Sequence, residues 1–232
     1  MTRIPEIIAH RGASREAHEN TLPAFQIALD QGADGIELDV HATADGVVVV
    51  HHDAAIQVYH MGESARADIA TLSAARALAS PLAGGATMPT LDQVLDLIGS
   101  RAVVYIEVKA ARIEQPLLSC LDRHPTSRMA VHAFDHRIPL AIRSQRPHIS
   151  IGLLSASYPT HLKGFFGHVR PDALWQQAQL IDEALVHSAH ALGARVIAWT
   201  ENDSIHARSL IAMGVDALCT DTPGLLRAAL AP

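Results

Sequence analysis

The stretch Ile36-Glu37-Leu38-Asp39-Val40 decides the fold of this chain. Successive side chains of a strand point to opposite faces, so its three apolar residues share one face, and Glu37 and Asp39 share the other. Carboxylates turned toward a protein interior cost free energy unless they are paired or bind a metal. The alternation therefore predicts a strand that packs helices on one face and carries two functional carboxylates on the other.

A second run, Val104-Tyr105-Ile106-Glu107-Val108-Lys109, repeats the alternation and turns Glu107 and Lys109 to the side of the carboxylates. Such residues could form a purely structural ion-pair network, and either run alone is a common pattern. Their position on strands expected to be neighbours in a barrel favours a functional cluster. Because three converging carboxylates suit a hard cation with oxygen ligands, we expect Mg2+ or Ca2+ rather than zinc.

Two of the 15 histidines stand apart because they come where predicted strands end. His10 closes the first apolar run, and His51-His52-Asp53 closes the third. His51 and His52 alternate, so only one of them can face the pocket, and strand parity does not choose between them. Two histidines beside carboxylates can hold a divalent cation and transfer two protons, which is the chemistry needed to cleave a phosphodiester.

Short β-branched runs alternate with amphipathic stretches along the whole chain, as is typical of βα units around a parallel sheet. We predict a (β/α)8 TIM barrel with its site at the carboxyl ends of the strands. The predicted strands lie near Glu6–His10, Asp34–Val40, Val47–His51, Ala102–Lys109, Met129–Phe134, Ile149–Leu154, Asp172–Trp175, Arg195–Thr200 and Asp216–Thr220. The predicted helices lie near Leu22–Gln31, Leu91–Gly99, Glu114–His124, Pro139–Gln145, Leu180–Leu192, Ser204–Met213 and Gly224–Leu230.

Two segments interrupt this alternation. The third run follows the second after only residues 42–46, which leave no room for a crossover helix, and Asp45-Gly46 is a hairpin-turn signal. We interpret one of these two runs as a short extra ribbon, so the pair counts as one of eight barrel elements. Residues 54–88 show weak periodicity, and we expect a lid or binding insertion there. The chain is predicted to be a single domain, residues 1–232, that carries this insertion.

The composition narrows the class of protein. With 232 residues, 49% of them hydrophobic, and a net charge of -6, the chain suits one barrel domain and lacks the basic excess of a nucleic-acid binder. Cys120 and Cys219 show no metal or redox spacing, and we expect both to be reduced and structural. No leader-like segment and no apolar run of about 18 residues is seen, so we expect a soluble cytoplasmic protein without stable membrane insertion, although a chain whose leader had been removed would look the same.

The ordered motifs resemble those of the glycerophosphodiester phosphodiesterases, and the resemblance covers almost the whole chain. Its first half is the most specific part, because several motifs follow one another within about fifty residues. The matching motifs are His10-Arg11-Gly12, Glu19-Asn20-Thr21, Ala24-Phe25, Gly35-Ile36-Glu37-Leu38-Asp39-Val40, Thr43, Asp45-Gly46, His52-Asp53, Pro89-Thr90-Leu91, Ile106-Glu107-Val108-Lys109, Trp199-Thr200, Asn202, Gly214-Val215-Asp216 and Thr220-Asp221.

The resemblance implies a fold, a reaction and roles for eight of the matching residues. It implies a (β/α)8 barrel with an insertion after the second strand. It also implies that the enzyme hydrolyses glycerophosphodiesters to glycerol 3-phosphate and an alcohol, with Mg2+ or Ca2+ as its cofactor. The implied partner is a small-molecule phosphodiester, and nothing in the sequence indicates the oligomeric state. The implied site residues are His10 and His52 as general acid and base, Glu37, Asp39 and Glu107 as metal ligands, Arg11 and Lys109 as phosphate contacts, and Trp199 as a wall of the pocket.

Two other functions stay open at this point. A lyase that releases a cyclic phosphate would use the same barrel and the same two histidines. A catalytically silent barrel that binds a phosphorylated ligand is disfavoured, because both histidines and all three carboxylates are present. Departures from the family pattern, such as Ala133 where a serine is usual and Glu201 where an apolar residue is usual, concern specificity for the alcohol group rather than the reaction.

Overall fold

The computed structural model describes residues 5–60 and 63–231, and these alternate between strands and helices. The strands are β1 (Glu6–His10), β2 (Gly35–Ala42), β3 (Val48–Val50), β4 (Ala55–His60), β5 (Glu63–Asp68), β6 (Val103–Val108), β7 (Arg128–Ala133), β8 (Ser150–Ser155), β9 (Ala173–Gln177), β10 (Arg195–Trp199) and β11 (Ala217–Thr220). The helices are α1 (Leu22–Asp30), α2 (Ala74–Leu78), α3 (Leu91–Ile98), α4 (Glu114–Leu121), α5 (Arg137–Gln145), α6 (Leu162–Phe166), α7 (Glu183–Ala191), α8 (Ser204–Met213) and α9 (Pro223–Leu230).

Eight of the described strands are parallel and close into a barrel in the order β1-β2-β6-β7-β8-β9-β10-β11, with β11 paired to β1. β3 adds to β2 in antiparallel orientation, with Val40 opposite Val50. The predicted (β/α)8 barrel and its short extra ribbon are therefore confirmed. The register pairs His10 with Glu37, and it aligns Asp39 with Glu107 and Glu107 with His132, so neighbouring strands deliver their polar side chains to one end of the barrel.

The outer face of the barrel packs against the helices as the alternation predicts. Ile36, Leu38 and Val40 are fully buried and belong to one apolar cluster with Phe25 of α1 and Leu95 of α3. Burying an apolar side chain of this size contributes about 1.5–3 kcal/mol. This burial fixes the rotation of β2, and the rotation in turn points the two carboxylates of that strand into the barrel.

An apolar layer fills the barrel interior beneath the site. Tyr105, Trp175 and Ile197 pack in one cluster inside the barrel, and the rings of Tyr105 and Trp175 meet edge to face with centroids 5.2 Å apart. At the amino end of the strands, the Tyr105 hydroxyl donates a hydrogen bond of 2.8 Å to Glu6, which also pairs with Arg195 at 2.6 Å. The polar site therefore rests on a packed floor.

Residues 54–88, predicted as a weakly patterned insertion, are more regular than the sequence suggested. β4 and β5 form an antiparallel hairpin, followed by α2 and two short 3₁₀ turns at Ile69–Thr71 and Ala83–Gly85. Ile56, Val58 and Ile69 pack with Val49 of β3 in a small cluster of their own. The insertion is thus anchored to the ribbon beside β2. Met61 and Gly62 lie outside the described residues.

Helix boundaries follow their caps. A capping box opens α3, where the Thr90 hydroxyl accepts from the Gln93 backbone N–H at 3.2 Å and the Gln93 side chain accepts from the Thr90 N–H at 2.9 Å. The helix predicted from Leu180 instead begins at Glu183, because Asp182 caps it. α6 was not predicted. None of the described helices is long and apolar enough to cross a membrane.

Candidate active site

The carboxyl ends of the barrel strands bring together three buried metal-capable side chains. Glu37 of β2, Glu107 of β6 and His132 of β7 each offer one donor atom, and these atoms lie within 4.8 Å of one another. Strand parity predicted the position of the two glutamates. His132 was missed, although it alternates with Val131 just as Glu107 alternates with Ile106, and the same parity argument would have turned it inward.

Asp39 lies in the same cluster but is surrounded by positive and hydrogen-bonding groups. Its Oδ2 atom accepts a 2.8 Å hydrogen bond from Asn20 and lies 3.0 Å from the Arg11 Nε atom. Its Oδ1 atom lies 3.6 Å from Lys109 Nζ, which also donates to Glu107 at 2.8 Å. Burial alone would raise the pKa of Asp39, but the charges of Arg11 and Lys109 outweigh it, and the pKa is lowered. Asp39 is therefore ionised.

For Glu37 and Glu107, burial and neighbouring negative charges outweigh the positive charges, and the pKa values are raised. Burial, followed by the charges of Asp39 and Glu107, raises the pKa of Glu37 well above its ordinary value. Burial and the charge of Asp39 likewise raise the pKa of Glu107, although Lys109 opposes the shift. Crowded carboxylates with too little positive charge hold either protons or a cation. The donor set therefore fits a divalent cation, which would supply the missing charge.

His10 is held by a carboxylate from the other end of the chain. Its Nδ1 atom lies 2.7 Å from Asp221 Oδ1, and Asn202 donates to Asp221 Oδ2 at 2.8 Å. Burial alone would raise the pKa of Asp221, but hydrogen bonds from His10 and Asn202 lower it to about 2. An ionised Asp221 can only accept, so Nδ1 of His10 carries the proton and Nε2 is left free for chemistry.

His52 is oriented in the same way, by the residue that follows it. Its Nδ1 atom lies 2.9 Å from Asp53 Oδ1, and the hydrogen bond from His52 lowers the pKa of Asp53. The His41 ring bonds the backbone oxygen of His52 through Nε2 at 3.1 Å. Each of the two predicted proton-transfer histidines is thus paired with an aspartate. Neither aspartate was predicted to have a role.

Arg11 reaches the carboxylate cluster because of a tight turn after β1. Arg11 and Gly12 both have positive φ, at 57° and 84°, and a Cβ atom on Gly12 would meet the backbone of Ala24 at 2.7 Å. The turn directs the Arg11 N–H to the Glu37 side chain at 3.1 Å and the guanidinium to Glu19 at 3.0 Å. The His10-Arg11-Gly12 motif therefore needs glycine for both its conformation and its close packing.

Trp199 lies at the end of β10, and its ring meets Phe134 edge to face with centroids 5.6 Å apart. Its indole Nε1 atom is buried and has no hydrogen-bond partner among the described residues. Phe134, which follows β7, is 48% exposed. The two rings form an apolar wall with one unused hydrogen-bond donor. The two rings lie at the ends of β7 and β10, whereas the carboxylate cluster is formed by β2 and β6.

Glu201, where the family usually has an apolar residue, has a structural role. Its carboxylate accepts from the Asp203 N–H at 2.7 Å and pairs with the His206 ring. These contacts lie at the start of α8, where Asp203 is the N-cap residue.

A second group of metal-capable donors, Asp92, Cys120 and His124, lies on the helical layer. Its members already satisfy one another, because His124 Nε2 is 2.8 Å from Asp92, and Arg123 makes two hydrogen bonds to the same carboxylate. Cys120 and Cys219 are both free and buried, as predicted. This group is explained by helix packing, in contrast to the crowded site in the barrel.

Comparison with known proteins agrees with this geometry. The profile of the "Glycerophosphoryl diester phosphodiesterase family" matches residues 10–225. A glycerophosphodiester phosphodiesterase of Caldanaerobacter subterraneus subsp. tengcongensis is 31% identical over 244 residues, 95% of each chain. A crystal structure from Silicibacter pomeroyi DSS-3, provisionally named a glycerophosphoryl diester phosphodiesterase, superposes on this chain with a TM-score of 0.88 at 26% identity. The match covers 99% of this chain and 94% of that one.

The fold is also shared with an Oleispira antarctica phosphodiesterase in complex with its product sn-glycerol-3-phosphate, with a TM-score of 0.87 at 24% identity and coverage of 98% of this chain and 97% of that one. The resemblance found in the motifs is thus confirmed over nearly the whole length, in both sequence and structure. The chain belongs to the glycerophosphoryl diester phosphodiesterase family.

Proposed function

We propose that this protein hydrolyses glycerophosphodiesters to glycerol 3-phosphate and an alcohol, with a divalent cation, Mg2+ or Ca2+, held by Glu37, Asp39 and Glu107. One observation carries the proposal. The aspartate-paired His10 lies on the strand next to a buried carboxylate cluster, at the carboxyl end of a barrel, where enzymes of this fold place their chemistry. The product bound to the Oleispira antarctica phosphodiesterase supports the substrate class.

The charge balance of the carboxylate cluster supports the proposal of a bound metal. The pKa values of Glu37 and Glu107 are raised by burial and by neighbouring carboxylates, as suits a cluster that a cation would neutralise, and Asp39 Oδ1 has no hydrogen-bond donor among the described residues. Glu37, Asp39 and Glu107 would hold a dication, which when bound would supply the missing charge and Lewis-acid chemistry toward the phosphate. Arg11 and Lys109 lie beside Asp39, and in the proposed complex their cationic ends offset the charge that develops at phosphorus.

The two histidines move the protons. The Nε2 atom of one histidine takes a proton from the nucleophile, and the other histidine gives a proton to the departing alkoxide. Attack by water gives glycerol 3-phosphate directly, whereas attack by the neighbouring glycerol hydroxyl gives a cyclic phosphate that water must then open to glycerol 3-phosphate. Asp221 and Asp53 hold the Nδ1 protons of His10 and His52 in place, so both rings present Nε2. A positioned imidazole of this kind contributes about 10²–10⁴-fold to the rate. Trp199 walls the substrate with its ring face.

The reaction is tested with protein stripped of metal by a chelator. A panel of glycerophosphodiesters with choline, ethanolamine, glycerol and inositol groups is incubated with and without Mg2+ or Ca2+, and glycerol 3-phosphate is followed. We expect release that depends on the metal. A cyclic phosphate in place of glycerol 3-phosphate would indicate the lyase reaction. Binding without either product would contradict the proposal in favour of a non-catalytic barrel.

Three histidine variants separate the roles. His10→Ala and His52→Ala are each expected to reduce turnover by at least about 10²-fold without changing the fold. His148→Ala is the matched control, because His148 is an exposed histidine before β8, at the opposite end of the barrel. Near-wild-type turnover in either site variant, measured with the same substrate and saturating metal, would refute its role in proton transfer.

A further inference from the structure

We infer that His132 is a nitrogen ligand of the divalent cation, and that it shifts the preference of the site from Ca2+ toward Mn2+ and Co2+. The inference rests on the proposed metal site and adds a donor to it. None of the residues assigned from the motifs lies on β7, the strand that carries His132. The imidazole is placed by the barrel itself, at the level of Glu107 on the neighbouring strand.

Geometry is the first support. The His132 Nε2 atom lies 3.9 Å from Glu37 Oε1, which is beyond hydrogen-bond length but suits two atoms that share one cation. Each metal–ligand distance of about 2.0–2.2 Å places two donors of the same ion about 3–4 Å apart. One donor atom from each of His132, Glu37 and Glu107 lies within 4.8 Å of the other two.

The second support is burial. The His132 side chain is 1% exposed, and Nε2, the nitrogen nearest Glu37, lies beyond hydrogen-bond length of that carboxylate. A buried ring nitrogen that is not bound to a protein acceptor is free to bind a cation. Burial also disfavours the charged imidazolium, and the neutral ring has a lone pair to offer a cation.

The third support is that the ring is held in one orientation. It stacks on Trp175 with centroids 4.1 Å apart and an interplanar angle of 4°. Gly152 on β8 makes room for this stack, because a Cβ atom there would meet the Trp175 ring at 2.7 Å and the His132 Cβ atom at 3.1 Å. A ring fixed in this way loses little conformational freedom when it binds a metal.

An imidazole changes which metal the site prefers. Carboxylate oxygens alone suit Ca2+ and Mg2+, whereas a nitrogen donor favours the divalent transition metals. Ca2+ also prefers six to eight oxygen ligands in a flexible arrangement, which a rigid ring does not provide. The addition of His132 to Glu37, Asp39 and Glu107 therefore predicts tighter binding of Mn2+ and Co2+ than the carboxylates alone would give.

Electron spin-echo measurements on the Mn2+-loaded protein test the inference without reference to turnover. Coordinated imidazole produces nitrogen modulation of the Mn2+ signal, and labelling histidine with the heavy nitrogen isotope changes that modulation. We expect wild-type protein to show the modulation and His132→Phe, which keeps an aromatic ring on Trp175, to lose it. His124→Gln is the control, since it removes the histidine of the second donor group and should keep the modulation.

Titration calorimetry supplies a second readout. We expect the Mn2+ affinity of His132→Phe to fall by at least about tenfold, while its Ca2+ affinity changes less than about threefold. Should His132→Phe fail to fold, as judged by circular dichroism, His132→Gln replaces it. Modulation that persists in the variant refutes the inference and leaves the proposed function intact. Failure of wild-type protein to bind Mn2+ or Ca2+ at all would refute the proposed metal site as well.

Discussion

Replacement of Asp221 by asparagine tests how much His10 depends on its partner. In the fold the pKa of Asp221 drops from an ordinary 3.8 to about 2, and the side chain is 17% exposed. At about 1.36 kcal/mol for each pKa unit, its hydrogen bonds are worth about 2 kcal/mol near neutral pH. We expect Asp221→Asn to lower the free energy of unfolding by about that amount and kcat/KM by at least about 30-fold, because the amide no longer fixes the Nδ1 proton of His10.

The pH dependence of this loss has a definite sign. A carboxylate whose pKa is lowered by folding stabilises the protein above its ordinary pKa, and that contribution disappears as the pH falls through the folded value. Urea unfolding of both proteins should therefore show a difference that is constant above about pH 5 and shrinks between about pH 4 and about pH 2. Asp122→Asn is the control: Asp122 is ion-paired with Arg146 at the exposed end of α4, and its loss should leave turnover unchanged. A stability difference that does not vary with pH, or full activity in Asp221→Asn, would refute the reasoning.

Three further results are expected. Gly12→Ala should lower the free energy of unfolding in urea by about 2–5 kcal/mol, because alanine disfavours the positive φ and its Cβ atom would overlap Ala24. An unchanged midpoint of the unfolding transition would show that the turn relaxes. Metal binding should release protons and become tighter as the pH rises, because the pKa values of Glu37 and Glu107 are raised. Calorimetry in buffers of different ionisation enthalpy measures the number of protons released. Binding without proton release would contradict the prediction. Trp199→Ala should raise KM about tenfold and change kcat less, in steady-state assays; the reverse split would place Trp199 in the chemical step.

Much of the site follows from strand parity alone. The alternation around Glu37 and Asp39, together with that around Glu107, predicted which side chains enter the barrel, because one buried apolar face fixes the other face. The same rule applied to Met129-Ala130-Val131-His132 would have placed His132 inside, but no second charged residue on that strand drew attention to it. The alternation of Ile56 and Val58 in β4 was missed for a similar reason, since Gly84-Gly85 and the prolines around it made the whole segment look irregular.

Contacts that depend on barrel closure could not be predicted from local patterns. Asp221 binds His10 across 211 positions because β11 closes the barrel against β1, and nothing beside either residue signals the pairing. Asn20 is a comparable case: its hydrogen bond to Asp39 depends on how the loop after β1 folds over β2. Sequence patterns indicate which face of an element is used, whereas partners along the chain are set by the closed three-dimensional arrangement.

The packed floor of the barrel has a consequence for the order of events in the proposed reaction. Trp175 and Tyr105 are 2% and 4% exposed and pack beneath the carboxylate cluster, so we expect substrate to enter at the carboxyl ends of the strands. Both products must leave by the route that brought the substrate in. In the proposed reaction Arg11 and Lys109 hold the phosphate, so we expect the alcohol to depart first and glycerol 3-phosphate to depart last. Glycerol 3-phosphate should consequently compete with substrate for the free enzyme, and its escape would set the pace of turnover whenever bond cleavage is fast.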